Sequence, residues 1–210
     1  MGINGHLECN FPCDDVNHTW VIPNINIDKK KVRIIFISEA PPVNKDDYYY
    51  EGKESSFNKS TCIAFNDAGY KVNSINELLR QGIYFTTAIK CNKKGYLVSS
   101  TTLKNCSKIL NAEIVQFPDI KVILCMGDFA IKSINYIMKE KIGRHVIPSG
   151  STYKIRSGQY IEDSILYVPS YTQTGDSFNL EKSKRRMIAE DIKKAMKYLD
   201  KNWPYPLIDS

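Results

Sequence analysis

The stretch at residues 32–42, VRIIFISEAPP, constrains the fold more than any other. All of its first six residues except Arg33 are apolar and mostly β-branched, which reads as a strand buried on both faces, as in a parallel sheet. The strand stops at Ser38-Glu39-Ala40-Pro41-Pro42, where two prolines forbid further ladder bonding. In open α/β sheets the carboxyl end of such a strand is where ligands bind.

The rest of the chain repeats the alternation. A capping box of Ser74 and Glu77 predicts a helix over 74–81, stopped by Gly82. YFTTAIK at 84–90 reads as a second strand and ends at Cys91. Apolar residues at helical spacing from Leu103 to Phe117 predict a helix closed by Pro118, and KVILCMG at 121–127 is a third strand. Gly127 leads straight into an amphipathic helix over 128–139; a glycine at that junction admits backbone or ligand closely, and the helix N-terminus favours anions. After a basic, Gly/Ser-rich segment at 144–160, read as a short strand and loop, SILYV at 164–168 gives a fourth strand and 180–200 a long final helix. The polar and aromatic residues 43–70 show no helix or strand pattern, and long irregular loops in compact folds are usually functional. The order predicts an α/β fold, a three-layer α/β/α sandwich around a central four-stranded parallel sheet, built as one domain over residues 1–210.

No apolar run approaches the length of a membrane span, and the start MGINGHLECN has neither the basic nor the apolar part of a signal peptide, so a cytoplasmic protein without membrane attachment is expected. The net charge of +6 permits nucleic-acid binding. Lysines and arginines gather at Lys29–Lys31, at Lys90, Lys93 and Lys94, and at Lys182, Lys184, Arg185 and Arg186. Each cluster suits either a phosphate-tracking face or a solvated surface.

Six cysteines in a reducing compartment argue against a disulfide framework. Cys125 lies inside the third strand and reads as a small core residue. Cys9, Cys13, Cys91 and Cys106 form two spaced pairs, as a metal centre requires. Residues 1–31 hold too little apolar surface to fold alone, and a metal cluster shared with distant cysteines would pin them.

The four strand ends, taken together, resemble the uracil-DNA glycosylase superfamily, in particular its iron-sulfur branch, family four. That branch carries Gly-Glu-Ala-Pro-Gly after its first strand, Thr-Asn-x-x-Lys-Cys, Leu-Gly-x-x-Ala and His-Pro-Ser. This chain has Ser38-Glu39-Ala40-Pro41-Pro42, Thr86-Thr87-Ala88-Ile89-Lys90-Cys91, Met126-Gly127-Asp128-Phe129-Ala130 and Val168-Pro169-Ser170, in the same order. The resemblance implies a [4Fe-4S] cluster on Cys9, Cys13, Cys91 and Cys106, with structural zinc or unligated thiols as alternatives; Cys9-x3-Cys13 is one residue longer than the usual pair. It also implies DNA as partner, with the target base flipped out or single-stranded, and hydrolysis of the N-glycosidic bond of uracil or another deaminated base.

The resemblance makes Glu39, Ala40 and Pro41 the floor of a base pocket and Ser170 a phosphate-facing serine, with Lys184 to Arg186 adding charge nearby. The ring that stacks on the base is Phe57 or one of Tyr48 to Tyr50. The water-positioning acid aligns with Lys45, so Asp46 or Asp47 takes that role. Two departures weigh against the usual chemistry: the edge-reading Asn is Thr87, and the His that donates to the departing base is Val168. Gln173, Asp176 and Asn179 are the polar groups available to replace it. Loss of a charge-stabilising donor costs about 10²- to 10³-fold in rate. Two alternatives therefore stand beside a repair glycosylase: a binding protein of the same fold without hydrolysis, and a nucleotide-binding α/β protein with structural zinc. Ser38 and Pro42, replacing two glycines, should stiffen and narrow the pocket floor.

Overall fold

The computed structural model describes residues 7–23, 25–174, 178 and 181–202. Its elements are β1 (Ile34–Ser38), a 3-10 turn (Lys45–Asp47), α1 (Ser56–Asp67), α2 (Ile75–Arg80), β2 (Ile83–Thr87), α3 (Ser100–Ile114), β3 (Val122–Met126), α4 (Asp128–Ile142), α5 (Thr152–Ile155), β4 (Tyr160–Glu162), β5 (Ile165–Ser170) and α6 (Lys182–Asn202). The sheet runs β2-β1-β3-β5-β4. β1, β2, β3 and β5 are parallel, and β4 pairs antiparallel with β5. The expected four-stranded parallel sheet is thus present with a fifth strand at its edge. Asp163 and Ser164, both in left-handed backbone, make the two-residue hairpin that adds β4.

Strand alternation splits the apolar residues into two cores. Ile35, Ile37, Tyr84, Ile123 and Tyr167 pack with α3 and α4, while Ile34, Phe36, Phe85, Leu124 and Val168 pack with α1, α2 and α6. Two buried faces explain why the strands read as continuous apolar runs. The same parity carries on past the apolar residues. Thr86 turns toward α3, whereas Ser38 and Thr87 sit at paired positions on the other face.

Residues 43–70 contain a helix that the sequence pattern hides. The buried side of α1 carries Asn58, Ser60 and Thr61 beside Phe57, Ala64 and Phe65, which dilutes the apolar period. Its N-terminus is capped by Ser55, whose side chain accepts from Asn58 N–H at 3.1 Å. The capping box expected at α2 is not formed: Ser74 makes no side-chain cap bond, and Glu77 accepts instead from Asn73 N–H. Gly82 matters for a different reason. Its φ is +83°, and a Cβ there would lie 2.2 Å from Lys31 O, so only glycine lets the entry to β1 pass this close.

β2 is an edge strand, and Tyr50 closes it. The Tyr50 hydroxyl accepts from Phe85 N–H at 2.8 Å and donates to Phe85 C=O at 3.0 Å, satisfying both edge groups of that residue. No helix of the described residues is long and apolar enough to cross a membrane.

Candidate functional site

Because β1, β2, β3 and β5 are parallel, their carboxyl ends share one edge, and side chains from each exit loop meet there. Gly127, at the β3–α4 junction, has φ +92°. A Cβ on it would lie 2.4 Å from Thr172 Oγ1 and 2.6 Å from Glu39 Oε1, so the glycine makes room for a carboxylate and a hydroxyl against the start of α4. The Lys93 ammonium sits 3.7 Å from Glu39 Oε2 and 4.9 Å from the centre of the Phe129 ring. A cavity of about 250 Å³ opens beside this group, lined by Gly127, Asp128, Thr152, Tyr171, Thr172 and Lys184. Its lining sets the Asp128 carboxylate, the hydroxyls of Thr152, Tyr171 and Thr172, the Lys184 ammonium and the positive end of α4 beside apolar Phe178 and Ile188, a combination suited to holding water and an anionic group.

The exit loops are fixed from below. Ala88 N–H and Ile89 N–H donate to Ser38 O and Glu39 O at 2.7 and 2.9 Å, and Gly127 N–H donates to Ser170 O at 2.9 Å. Pro42 O accepts from the Asn92 side chain, tying the β1 exit to the β2 exit. Ala40 is half-buried and Pro41 buried within the same loop.

Lys90 and Glu113 form an ion pair with neither side chain exposed. The Lys90 ammonium donates to Glu113 Oε2, to Thr86 Oγ1 at 2.8 Å and to Thr87 O at 2.6 Å. Glu113 Oε1 accepts from Tyr84 and Thr86 hydroxyls at 2.6 and 2.8 Å. The carboxyl end of β2 is thereby bolted to α3.

Thr87 itself is fully buried, and its Oγ1 has no hydrogen-bond partner. The Tyr48 hydroxyl faces Thr87 and the Tyr49 hydroxyl faces Ser38, but neither phenol reaches hydrogen-bond geometry. Burial pushes both phenols well up, so they remain protonated donors. Three orphan hydroxyls, Tyr48, Tyr49 and Thr87, therefore gather beside Ser38, where buried polar groups are normally paired.

Other expected site residues are placed elsewhere. Phe57 is buried against Tyr48 and Tyr49, with a ring separation of 5.0 Å from Tyr49, and has no free face for stacking. Asp47 Oδ1 accepts from Ser56 N–H at 3.2 Å near the start of α1. Asp46 is exposed, and its N–H is held by Asn44 Oδ1. Neither carboxylate hydrogen-bonds to Glu39, Thr87 or Thr172 among the described residues. Strand parity turns Ser170 toward α6, where its buried hydroxyl donates to Asp191 at 2.7 Å. Arg156 completes that group by donating to Asp191, and burial nevertheless pushes the Asp191 carboxyl up to about 6. Val168 packs in the core below α6. Gln173 is buried and donates to Thr61, and Asp176 and Asn179 lie outside the described residues. Thr172 carried no signal in the sequence; Lys93 showed only as part of a basic cluster.

The four cysteines do come together. Cys13, Cys91 and Cys106 are buried in one apolar cluster, against which Cys9 packs. Burial, then the neighbouring Cys106, Cys9 and Cys13 sulfurs, push the Cys91 thiol up to about 12. A cavity of about 350 Å³ is lined by Cys9, Cys91, Leu7, His18 and Trp20. No three His, Cys, Asp or Glu side chains among the described residues converge on a point that a single metal ion would occupy. The N-terminal segment is also held by hydrogen bonds: Val21 N–H to Lys90 O at 2.7 Å, Asn17 N–H to Asn92 O at 2.9 Å, and a bridge from Val16 to Lys93. Asp15 binds Ser99 N–H and the Thr102 hydroxyl at the start of α3. Burial penalises its carboxylate, but these hydrogen bonds prevail and hold it below the usual range.

Comparison with known proteins adds one finding. The family model described as the uracil DNA glycosylase superfamily matches residues 26–203. No curated protein matches the chain significantly.

Proposed function

The chain belongs to the uracil DNA glycosylase superfamily, and from that premise we propose that it hydrolyses the N-glycosidic bond of uracil or another deaminated base in DNA. The observation that carries this reading is the convergence of Glu39, Gly127 and Thr172 at the carboxyl edge of the sheet. A glycosylase needs a carboxylate beside the sugar to orient water, and positive potential where charge develops on the departing base. Glu39 has the better claim to the first role. Asp46 and Asp47 remain the sequence-based candidates, but Asp47 is engaged at the start of α1 and Asp46 points to solvent. Lys93 and the start of α4 supply the positive potential. In place of an amide, the base edge is read by the Thr87 hydroxyl, able to donate or accept. It is covered in the structure, so a base reaches it only when the 48–50 segment gives way.

The alternative is binding without hydrolysis. It is favoured by Val168, which lies in the core and has no donor for a departing base.

For the cofactor, we propose a [4Fe-4S] cluster on Cys9, Cys13, Cys91 and Cys106. Cys13, Cys91 and Cys106, buried in one apolar cluster with Cys9 packed against it, and the adjoining cavity beside Cys9 and Cys91 support it. A tetrahedral zinc site, with Zn–S near 2.3 Å, would need its sulfurs only about 3.8 Å apart. Such a cluster would tie residues 7–23 and the β2 exit to α3, and it supplies no step of the hydrolysis.

The test is base release from oligonucleotides carrying uracil, hypoxanthine or xanthine, followed by abasic-site cleavage. Wild type should release at least one of them, and Glu39→Gln should slow release by about 10²-fold or more. No release of any base at high enzyme concentration overturns hydrolysis in favour of binding alone.

A further inference from the structure

One buried carboxylate stands behind two walls of the cleft. Asp191, on α6, is 2% exposed. Its Oδ2 accepts from the Ser170 hydroxyl at 2.7 Å and from Arg156 Nε at 3.2 Å, while Arg156 Nη2 lies 2.8 Å from Oδ1. The guanidinium thus grips the carboxylate with two nitrogens, which fixes direction as well as distance. Among the described residues, neither Asp191 nor Arg156 lines the cavity beside Gly127.

Each partner of Asp191 leads to a different part of that cavity. Ser170 ends β5, and its C=O accepts from Gly127 N–H at 2.9 Å, at the junction where Glu39 and Thr172 come together. The next two residues, Tyr171 and Thr172, line the cavity. Arg156 caps the end of α5, whose first residue, Thr152, is also in the lining. A single turn such as α5 does not hold itself and needs tertiary ties. Arg156 supplies them by donating to Met187 O at 2.7 Å and Glu190 at 3.0 Å, and the Lys194 ammonium donates to Arg156 O at 3.2 Å and to Gly158 O. Buried ion pairs are poor sources of stability, because desolvation offsets most of their attraction, and burial pushes the Asp191 carboxyl up to about 6. What the pair provides is a fixed orientation.

We propose that Asp191 is a positioning residue of the cleft: through Ser170 and Arg156 it sets the β5 exit and α5 against Gly127 and Glu39. It touches no substrate and acts only through these two arms. The proposal deepens the glycosylase reading and rests on it for the choice of rate assay alone.

The experiment combines residue-resolved amide exchange on the intact chain with steady-state base release. Asp191→Asn keeps the shape of the side chain and removes the charge that holds Arg156. Exchange at Gly127, Ile155, Arg156 and Gly158 should quicken about 10-fold, with β1 unchanged. The kcat for release should fall about 10-fold and KM should stay within about 2-fold, as expected for misplacement of reacting groups. Ser170→Ala cuts one arm and should quicken Gly127 alone. The apolar pair Asp191→Leu/Arg156→Met should regain the thermal midpoint of wild type but neither its exchange pattern nor its kcat. If all three return, the pair is structural only and the proposal is overturned, as it is by wild-type exchange at these amides in Asp191→Asn. If wild type releases no base, the glycosylase reading falls by itself, and exchange decides the proposal: quickened in Asp191→Asn upholds it, unchanged overturns it.

Discussion

Replacing Glu113 with glutamine tests whether the end of β2 is held by charge. Lys90 and Glu113 are both fully buried, and the carboxylate takes three donors, from Lys90, Tyr84 and Thr86. Glutamine keeps the shape and one acceptor oxygen, but turns an amide donor toward an ammonium that has lost its counter-charge. Removing one partner of a buried pair costs about 3–5 kcal/mol, whereas replacing both by apolar groups of similar volume is often close to neutral. Against a typical total of about 5–15 kcal/mol, the single change removes a large share of the stability. With a urea m-value of about 2–3 kcal/mol/M for a chain of this size, the Glu113→Gln midpoint should fall by about 1–2 M. The double variant Lys90→Met/Glu113→Leu should recover most of that loss. A midpoint shift below about 0.3 M for the single variant, or a double variant no better than it, would refute the reasoning. The same titration bears on the site, because the Lys90 ammonium also holds Thr87 O at 2.6 Å.

Gly127→Ala should lower base release and stability together, since its Cβ would collide with Thr172 and Glu39 in a backbone conformation that costs about 1 kcal/mol or more for alanine; paired urea titration and activity assays check this. Asp191, raised by burial to about 6, binds its proton more tightly in the folded chain than in the unfolded one. The Asp191 contribution to folding stability should therefore decline by about 2 kcal/mol as pH rises from 4 to 6, so wild type should lose stability relative to Asp191→Asn over that range in a thermal melt series. Anaerobically purified protein should carry iron and inorganic sulfide with a brown colour, and Cys91→Ser should lose both; zinc without iron would refute the cluster.

What was legible in the sequence follows from what has only one physical solution. The runs at 32–38 and 121–127 are apolar on both faces, and nothing but a covered parallel sheet satisfies that pattern. From there the strand ends and the closeness of Gly127 to a ligand-sized opening could be anticipated, whereas the grouping of the four cysteines came from their paired spacing and the family resemblance. α1 escaped because Asn58, Ser60 and Thr61 face inward, where their hydrogen bonds substitute for apolar contacts. The hydrogen bond of Ser170 was hidden for another reason: the motif reads as a loop, but the strand continues through it. Two residues beyond Val168, parity points the hydroxyl at α6. Thr172 was invisible for the opposite reason, since a single threonine in a polar stretch becomes a site residue only when the fold carries it to Glu39.

Tyr50 has a consequence outside catalysis. A sheet with an open side strand offers a row of donors and acceptors on which any passing extended chain can crystallise its own backbone, a second copy of the same molecule included. Here one phenol occupies both groups of Phe85 in the middle of that row, so an incoming strand would have to evict it before it could register. Loss of that oxygen would be felt first in the test tube as concentration-dependent turbidity, in molecules whose cleft remains intact.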